Sequence, residues 1–184
     1  MARLVLLERD GVLTAERPGG IRNPGELALL PGAGAALRRL NEAGVKTAVV
    51  THQPLLGQGP LDLAMLLRLH DHLRDLLQRD GARLDRIEHV GPSRGGPPAP
   101  PALAPIRSLM QDFRCPPYEA VLIGPGLDEL QAATAAGIAR ILVQSGRGRA
   151  TQAAGIPREV MPLRVASDFA AAVGLVLDGG KGDG

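Results

Sequence analysis

The sequence predicts an α/β fold in which a mainly parallel sheet is flanked by helices. Short apolar runs alternate with segments of helical periodicity along the 184 residues, and this alternation is the pattern of βαβ units. The length and a hydrophobic content of 45% suit one domain with a sizeable core. We therefore expect a single domain over residues 1–178 and a flexible, glycine-rich tail over residues 179–184.

The predicted strands share a short apolar run that ends in a turn or loop signal. They cover residues 4–7, 45–50, 86–90, 120–123 and 138–143, with one more strand or extended piece near Val160. The predicted helices carry an apolar face or end at a glycine. They cover residues 33–43, 61–80, 106–113, 127–136 and 167–177. Residues 14–32 and 91–105 are rich in proline and glycine and are expected to be loops.

Several polar residues lie close to the ends of these strands. Glu8 and Asp10 follow the first strand, Thr51 and His52 follow the second, and Pro125 follows the fourth. In open parallel sheets the ligand crevice lies at the carboxyl ends of the strands. We therefore expect these residues to gather at one edge, although they are scattered in sequence.

Composition argues against several classes of function. The net charge is only +2, and the chain has one Tyr, two Phe and no Trp, so neither a basic nucleic-acid surface nor a base-stacking platform is expected. Cys115 is the only cysteine, which excludes an intrachain disulfide and a cysteine-rich zinc site. The N-terminus has four consecutive apolar residues, 4–7, too few for a signal peptide or a membrane span. A cytoplasmic protein is expected.

Four segments occur in an order that resembles a known family. They are LLERDGVLT at 6–14, VVTHQ at 49–53, the proline-rich stretch that runs into Ala102, and LIGPGLDELQAATAAGI at 122–138. Together they are similar to the haloacid-dehalogenase (HAD) phosphatases, in the branch of heptose-bisphosphate 7-phosphatases and histidinol-phosphate phosphatases. The resemblance implies a Rossmann-like HAD fold with little or no cap domain.

The resemblance also implies a chemistry for this site. In the family a carboxylate attacks phosphorus and a second carboxylate two residues later acts as general acid and base. These positions are Glu8 and Asp10. Thr51, with His52 beside it, falls where the family holds phosphoryl oxygens, and Arg94 is the one cation that could reach in from the proline-rich loop.

Three of the implied catalytic positions are substituted. The nucleophile position holds Glu8 rather than Asp, and the family's metal-binding aspartate aligns with Pro125. No lysine occurs in the proline-rich stretch, since Lys46 and Lys181 are the only lysines of the chain.

The cofactor expected from this resemblance is weakly bound Mg²⁺, if any. Glu8, Asp10, Asp128 and Glu129 are the candidate metal ligands, because a hard cation takes oxygen ligands. The loop that carries a Cys/His zinc site in this branch corresponds to residues 89–94, which contain no cysteine, so no zinc is expected.

Three functions remain open at the level of sequence. The favoured one is a catalytically impaired HAD domain with a binding, regulatory or scaffold role. The second is a Mg²⁺-dependent phosphomonoesterase of low or altered activity. The third is a structural subunit with the proline-rich arm as its interface. The expected partners are a small phosphorylated metabolite or anion and a protein, and neither nucleic acid nor membrane.

Overall fold

A single parallel sheet forms the centre of the protein. The computed structural model describes residues 2–92 and 102–179. The strands are β1 (Leu4–Leu7), β2 (Lys46–His52), β3 (Arg86–Val90), β4 (Ala120–Gly124), β5 (Ala139–Val143) and β6 (Arg164–Ala166). They lie in the order β3-β2-β1-β4-β5-β6, and every neighbouring pair is parallel.

Helices connect the strands and cover the sheet. They are α1 (Ala33–Glu42), α2 (Leu63–Arg79), α3 (Leu103–Asp112), α4 (Leu127–Ala135), α5 (Gly148–Ala153) and α6 (Phe169–Asp178). Throughout the described ranges all strands belong to this one sheet. The predicted Rossmann-like fold, with helices flanking a parallel sheet, is confirmed.

The central strand shows why short apolar runs were good predictors. All four residues of β1 are buried, because strands of a parallel sheet are covered on both faces. Asp62 is the N-cap of helix α2, and its carboxylate accepts a hydrogen bond of 2.7 Å from the Met65 amide. Its leucines at 66, 69, 73 and 77 are buried and form the apolar face that holds the helix against the sheet.

The strand order places a crevice beside β1. From β1 the chain proceeds outward through β2 to β3, then returns to place β4 on the other side of β1. The loops after β1 and β4 therefore diverge, and such a switch point is where open α/β sheets bind ligands.

The structure differs from the sequence prediction in four main places. Helix α3 begins at Leu103, within the stretch 91–105 that was expected to be a loop. Strand β2 extends to His52, so Thr51 and His52 are its last residues rather than loop residues. The last strand is at Arg164–Ala166, whereas Val160 belongs to a 3₁₀ turn. Helix α5 was not predicted, because it has six residues, of which only Gly148 is buried.

Some predictions fall on residues that the structure does not describe. The proline-rich arm lies outside the described residues over 93–101, and with it Arg94. The predicted tail is likewise outside from residue 180 onward. Among the helices of the described ranges, none combines the length and the apolar character needed to cross a membrane.

Candidate active site

A cleft of about 460 Å³ opens at the carboxyl edge of the sheet. It lies beside the switch point between β1 and β4, and residues after β1, β2, β4 and β5 line it. The charged and polar side chains among them are Glu8, Asp10, Glu16, Arg17, His52, Gln53, Asp128 and Arg147.

Glu8 is held by hydrogen bonds on both carboxylate oxygens. Its residue is only 3% exposed. Oε1 accepts hydrogen bonds from the Thr51 hydroxyl and from the Arg9 amide at 2.9 Å. Oε2 accepts from the His52 amide at 3.2 Å. The carboxyl group at the nucleophile position is therefore engaged by the protein itself.

Burial also changes the protonation of this group. Burial raises the pKa of Glu8 from an ordinary 4.5 to about 8, and the nearby carboxylates of Glu129 and Asp10 raise it as well. The Thr51 hydroxyl and the Arg9 amide act in the opposite direction, since hydrogen bonds to the charged form favour it. Desolvation prevails, and at neutral pH the neutral acid predominates.

Asp10 is held by a buried guanidinium. Arg9 is fully buried, and its Nε and Nη2 each donate to one Asp10 oxygen at 2.8 Å. The Thr14 hydroxyl adds a hydrogen bond of 2.9 Å to Oδ1. Bidentate arginine–carboxylate pairs are strong and directional, so Arg9 and Thr14 fix the orientation of the Asp10 side chain at the position of the general acid.

Thr51 has its hydroxyl occupied on both sides. The hydroxyl donates to Glu8 and accepts a hydrogen bond of 2.9 Å from Gln53 Nε2. The residue is completely buried. In this arrangement its proton serves Glu8 and not an anion in the cleft, whereas the side chain of His52 lines the cleft.

The loop after β4 contacts the loop after β1 through Pro125. A Cβ placed on Gly11 would lie 3.0 Å from Pro125 Cγ, so the proline ring packs directly against the residue that follows Asp10. Gly11 has a φ of +82°, a conformation that favours glycine. Space next to the two carboxylates is thus filled by an apolar ring.

Arg147, the residue immediately before α5, provides a cation for the cleft. Its Nη2 forms an ion pair with Oε1 of the buried Glu129, and its Nη1 lies 2.9 Å from Glu16 Oε1. Burial lowers the pKa of the guanidinium, but the carboxylates of Glu129 and Glu16 outweigh it and the net shift is upward. Arg147 is therefore a fixed positive charge among carboxylates.

Most of the residues singled out from the sequence lie at this edge, and Arg94 falls outside the described residues. Sequence reasoning missed Arg9, Glu16, Gln53 and Arg147. Arg147 lies in the loop between β5 and α5, and loops at the carboxyl ends of strands line the crevice of such sheets. Of its partners, Glu129 was singled out through the family resemblance, whereas Glu16 carries no sequence signal.

The described carboxylates do not fit a Mg²⁺ ion. Octahedral coordination requires several available oxygens, yet the oxygens of Glu8 and Asp10 already accept protein hydrogen bonds. Pro125 offers no side-chain ligand, and Glu129 is paired with Arg147. Within residues 2–92 and 102–179, no three His, Cys, Asp or Glu side chains are grouped so that they could share a metal ion.

Two relatives are similar over most of the chain. The D-glycero-beta-D-manno-heptose-1,7-bisphosphate 7-phosphatase of Bordetella bronchiseptica is 33% identical over 172 residues, which is 92% of this chain and 94% of the relative. The protein of the same name from Pseudomonas putida is 29% identical over 161 residues, or 86% and 92% of the two chains. No protein-family model matches.

The fold agrees with this similarity. The crystal structure of D,D-heptose 1,7-bisphosphate phosphatase from B. bronchiseptica, complexed with magnesium and phosphate, superposes with a TM-score of 0.87. It is 31% identical, and the match covers 96% of this chain and 99% of the other. The sheet and the carboxylates after its central strand thus define a phosphatase fold of the HAD superfamily. Within that superfamily, the chain belongs to the branch of the D,D-heptose 1,7-bisphosphate phosphatases.

Proposed function

We propose that this chain is a catalytically impaired member of its phosphatase family, with a binding, regulatory or scaffold role. The observation that carries the proposal is the state of Glu8. Its carboxyl group is buried, hydrogen-bonded on both oxygens and has a pKa of about 8. An attacking carboxylate has to be ionised and available to phosphorus.

The length of the Glu8 side chain adds to this impairment. Compared with aspartate, the extra methylene displaces the carboxylate by roughly 1.5 Å. A displacement near 1 Å costs on the order of 10²-fold in rate, because reaction requires a near-attack geometry.

The other parts of a phosphatase site are also compromised. Both carboxylate oxygens of Asp10 accept hydrogen bonds from Arg9, so the side chain is held by the protein rather than directed at a leaving group. Lys46 is at the far end of β2 and pairs with Asp85 at 2.9 Å, so it does not serve the cleft. Positioning and charge stabilisation supply most of the catalysis in phosphoryl transfer, and both are weakened here.

The ligand we propose for the cleft is a small phosphorylated metabolite. The proposal is supported by the relatives, which are phosphatases of a heptose bisphosphate. The cleft volume of about 460 Å³ also supports it. Pockets of this size accommodate small organic ligands. A protein partner on the proline-rich arm remains part of the proposal for a scaffold role.

A second candidate is a Mg²⁺-dependent phosphomonoesterase of low or altered activity. One observation favours it: Glu8 and Asp10 both line the cleft, so a conformational change that releases their hydrogen bonds would present both to a substrate. The two candidates differ in whether any turnover depends on Glu8.

Steady-state hydrolysis by the purified chain separates them. With Mg²⁺ and a heptose bisphosphate, histidinol phosphate or an aryl phosphate, we expect kcat far below the ordinary range of about 1–10³ s⁻¹. A kcat within that range that is lost in Glu8→Gln and kept in Glu42→Gln, an exposed glutamate on α1, would contradict the proposal. Slow Mg²⁺-dependent turnover that is lost in Glu8→Gln and kept in Glu42→Gln would favour the second candidate.

A further inference from the structure

Arg147 links three of the segments that surround the cleft, namely those that follow β1, β4 and β5. Through its guanidinium, the segment after β5 is joined to Glu16 on the long loop after β1 and to Glu129 in the first turn of α4. The segment after β5 is also anchored by Ser145, whose hydroxyl donates to the Gly11 carbonyl at 2.6 Å. Arg147 thus holds the walls of the cleft together.

The guanidinium lies directly over the turn that contains Pro125. A Cβ placed on Gly126 would collide with the Arg147 guanidinium and with Oε2 of Glu129. This oxygen is buried and lacks a hydrogen-bond partner among the described residues. Pro125 is the position that aligns with the metal-binding aspartate of the related phosphatases, so the cation stands beside the position where a ligand has been lost.

The charges of the cleft make such a cation necessary. Glu16 and Asp128 line the cleft together with Glu8 and Asp10, and Glu129 is buried behind them with 3% exposure. Burial of a carboxylate without a counter-charge is costly. Arginine stays charged at all physiological pH values and matches a carboxylate with its planar fork, so Arg147 is a permanent counter-charge for Glu129 and Glu16.

We propose that Arg147 is the built-in cation of the cleft, that it replaces a divalent metal ion as the counter-charge of Glu129 and Glu16, and that the cleft excludes Mg²⁺ as a result. A second cation would meet electrostatic repulsion from the guanidinium. Mg²⁺ also gives up its water reluctantly and needs oxygens that are free to replace it. Here Arg147 binds Oε1 of both glutamates, and the unpaired Oε2 of Glu129 is buried close to the same guanidinium.

The test is the response of thermal stability to Mg²⁺ in the full chain. We expect the Tm of the wild type to be unchanged between zero and about 10 mM Mg²⁺, because a ligand that does not bind the folded state does not stabilise it. Arg147→Gln should lower the metal-free Tm by on the order of 5 °C. Added Mg²⁺ should then restore much of this loss, since the carboxylates are exposed to a replacement counter-charge.

The matched control is Arg149→Gln, an exposed arginine two residues further along α5, which should behave as the wild type. A saturable rise of the wild-type Tm with Mg²⁺, or an Arg147→Gln variant that Mg²⁺ leaves unchanged, would overturn the assignment. Should Arg147→Gln fail to fold, titration of the wild type with Mn²⁺ decides by electron paramagnetic resonance. An undiminished signal of free Mn²⁺ supports the assignment, and stoichiometric loss of that signal overturns it.

The inference stands apart from the proposed loss of catalysis. Turnover without a metal ion would contradict the proposed function and leave the role of Arg147 intact. Mn²⁺ binding without turnover would contradict the role of Arg147 and leave the proposed function intact.

Discussion

Replacement of Glu8 by glutamine should stabilise the protein, and increasingly so as the pH rises. The pKa of Glu8 is raised from 4.5 to about 8 in the folded chain. A raised pKa means that the folded state keeps a proton that the unfolded state has lost. The contribution of the protonated Glu8 side chain to the free energy of unfolding is complete below pH 4.5. This contribution disappears as the pH rises to about 8.

The magnitude follows from the shift. One pKa unit corresponds to about 1.36 kcal/mol. At pH 7, which is 2.5 pH units above the ordinary pKa of 4.5, keeping Glu8 protonated lowers the free energy of unfolding by about 3 kcal/mol. Above pH 8 the full 3.5 units cost about 5 kcal/mol. Glutamine cannot ionise, so Glu8→Gln escapes this cost. Its NH2 group cannot accept the 3.2 Å hydrogen bond from the His52 amide, and this loss lowers the stability of the variant equally at every pH. For a protein of ordinary stability, about 5–15 kcal/mol, the gain would be conspicuous.

Urea unfolding at pH 5, 6, 7 and 8 measures this effect. The difference in free energy of unfolding between Glu8→Gln and the wild type should grow by up to about 1.4 kcal/mol per pH unit. Glu42→Gln makes the same chemical change at an exposed position and should give no such trend. Parallel pH profiles for Glu8→Gln and the wild type would show that Glu8 is ionised in the folded protein, and the reasoning would be refuted.

Three further predictions concern the surroundings of Glu8. Thr51→Val removes a buried hydroxyl that donates to Glu8 and should destabilise the chain by about 1–3 kcal/mol; an unchanged urea midpoint would contradict this. Gly126→Ala should lower Tm by separating Glu129 from Arg147, whereas Gly174→Ala, at a helical position with open space, should not; equal Tm values in the two variants would be the contrary result. Single substitutions should restore almost no aryl-phosphate hydrolysis, whether Glu8→Asp, Pro125→Asp or Arg147→Gln. The three combined, together with a lysine at position 99, should raise the rate of hydrolysis far more than the sum of the single effects. Full activity from Glu8→Asp alone would show that the other changes were never limiting.

The sheet could be predicted because its strands carry a local signal. Burial on both faces makes β1 and β4 continuous apolar runs, and glycine ends the intervening helices. Strand β6 has no such signal, since it is at the edge of the sheet and two of its three residues are exposed. Helix α5 likewise has no recognisable apolar pattern in the sequence, because it is short and buries only Gly148.

The site could be predicted only where position along a strand determines it. Strand ends brought Glu8, Asp10 and Thr51 to one edge, as the parallel topology requires. The pairing of Arg147 with Glu16 spans 131 residues and arises from the packing of two loops. The hydrogen bonds of Glu8 with Thr51 and His52 likewise join residues far apart in sequence, and the Thr51 hydroxyl that one would assign to a phosphate serves Glu8 instead.

Loss of the nucleophile is tested by asking whether Glu8 ever carries a phosphoryl group. The wild-type chain would be mixed with an aryl phosphate and Mg²⁺, quenched in acid within the first turnover and digested for mass spectrometry. The buried and protonated state of Glu8 predicts no phosphorylated peptide containing this residue. A stoichiometric phosphoryl adduct on Glu8, absent in Glu8→Gln, would show that Glu8 is a working nucleophile and would contradict the proposed loss of catalysis.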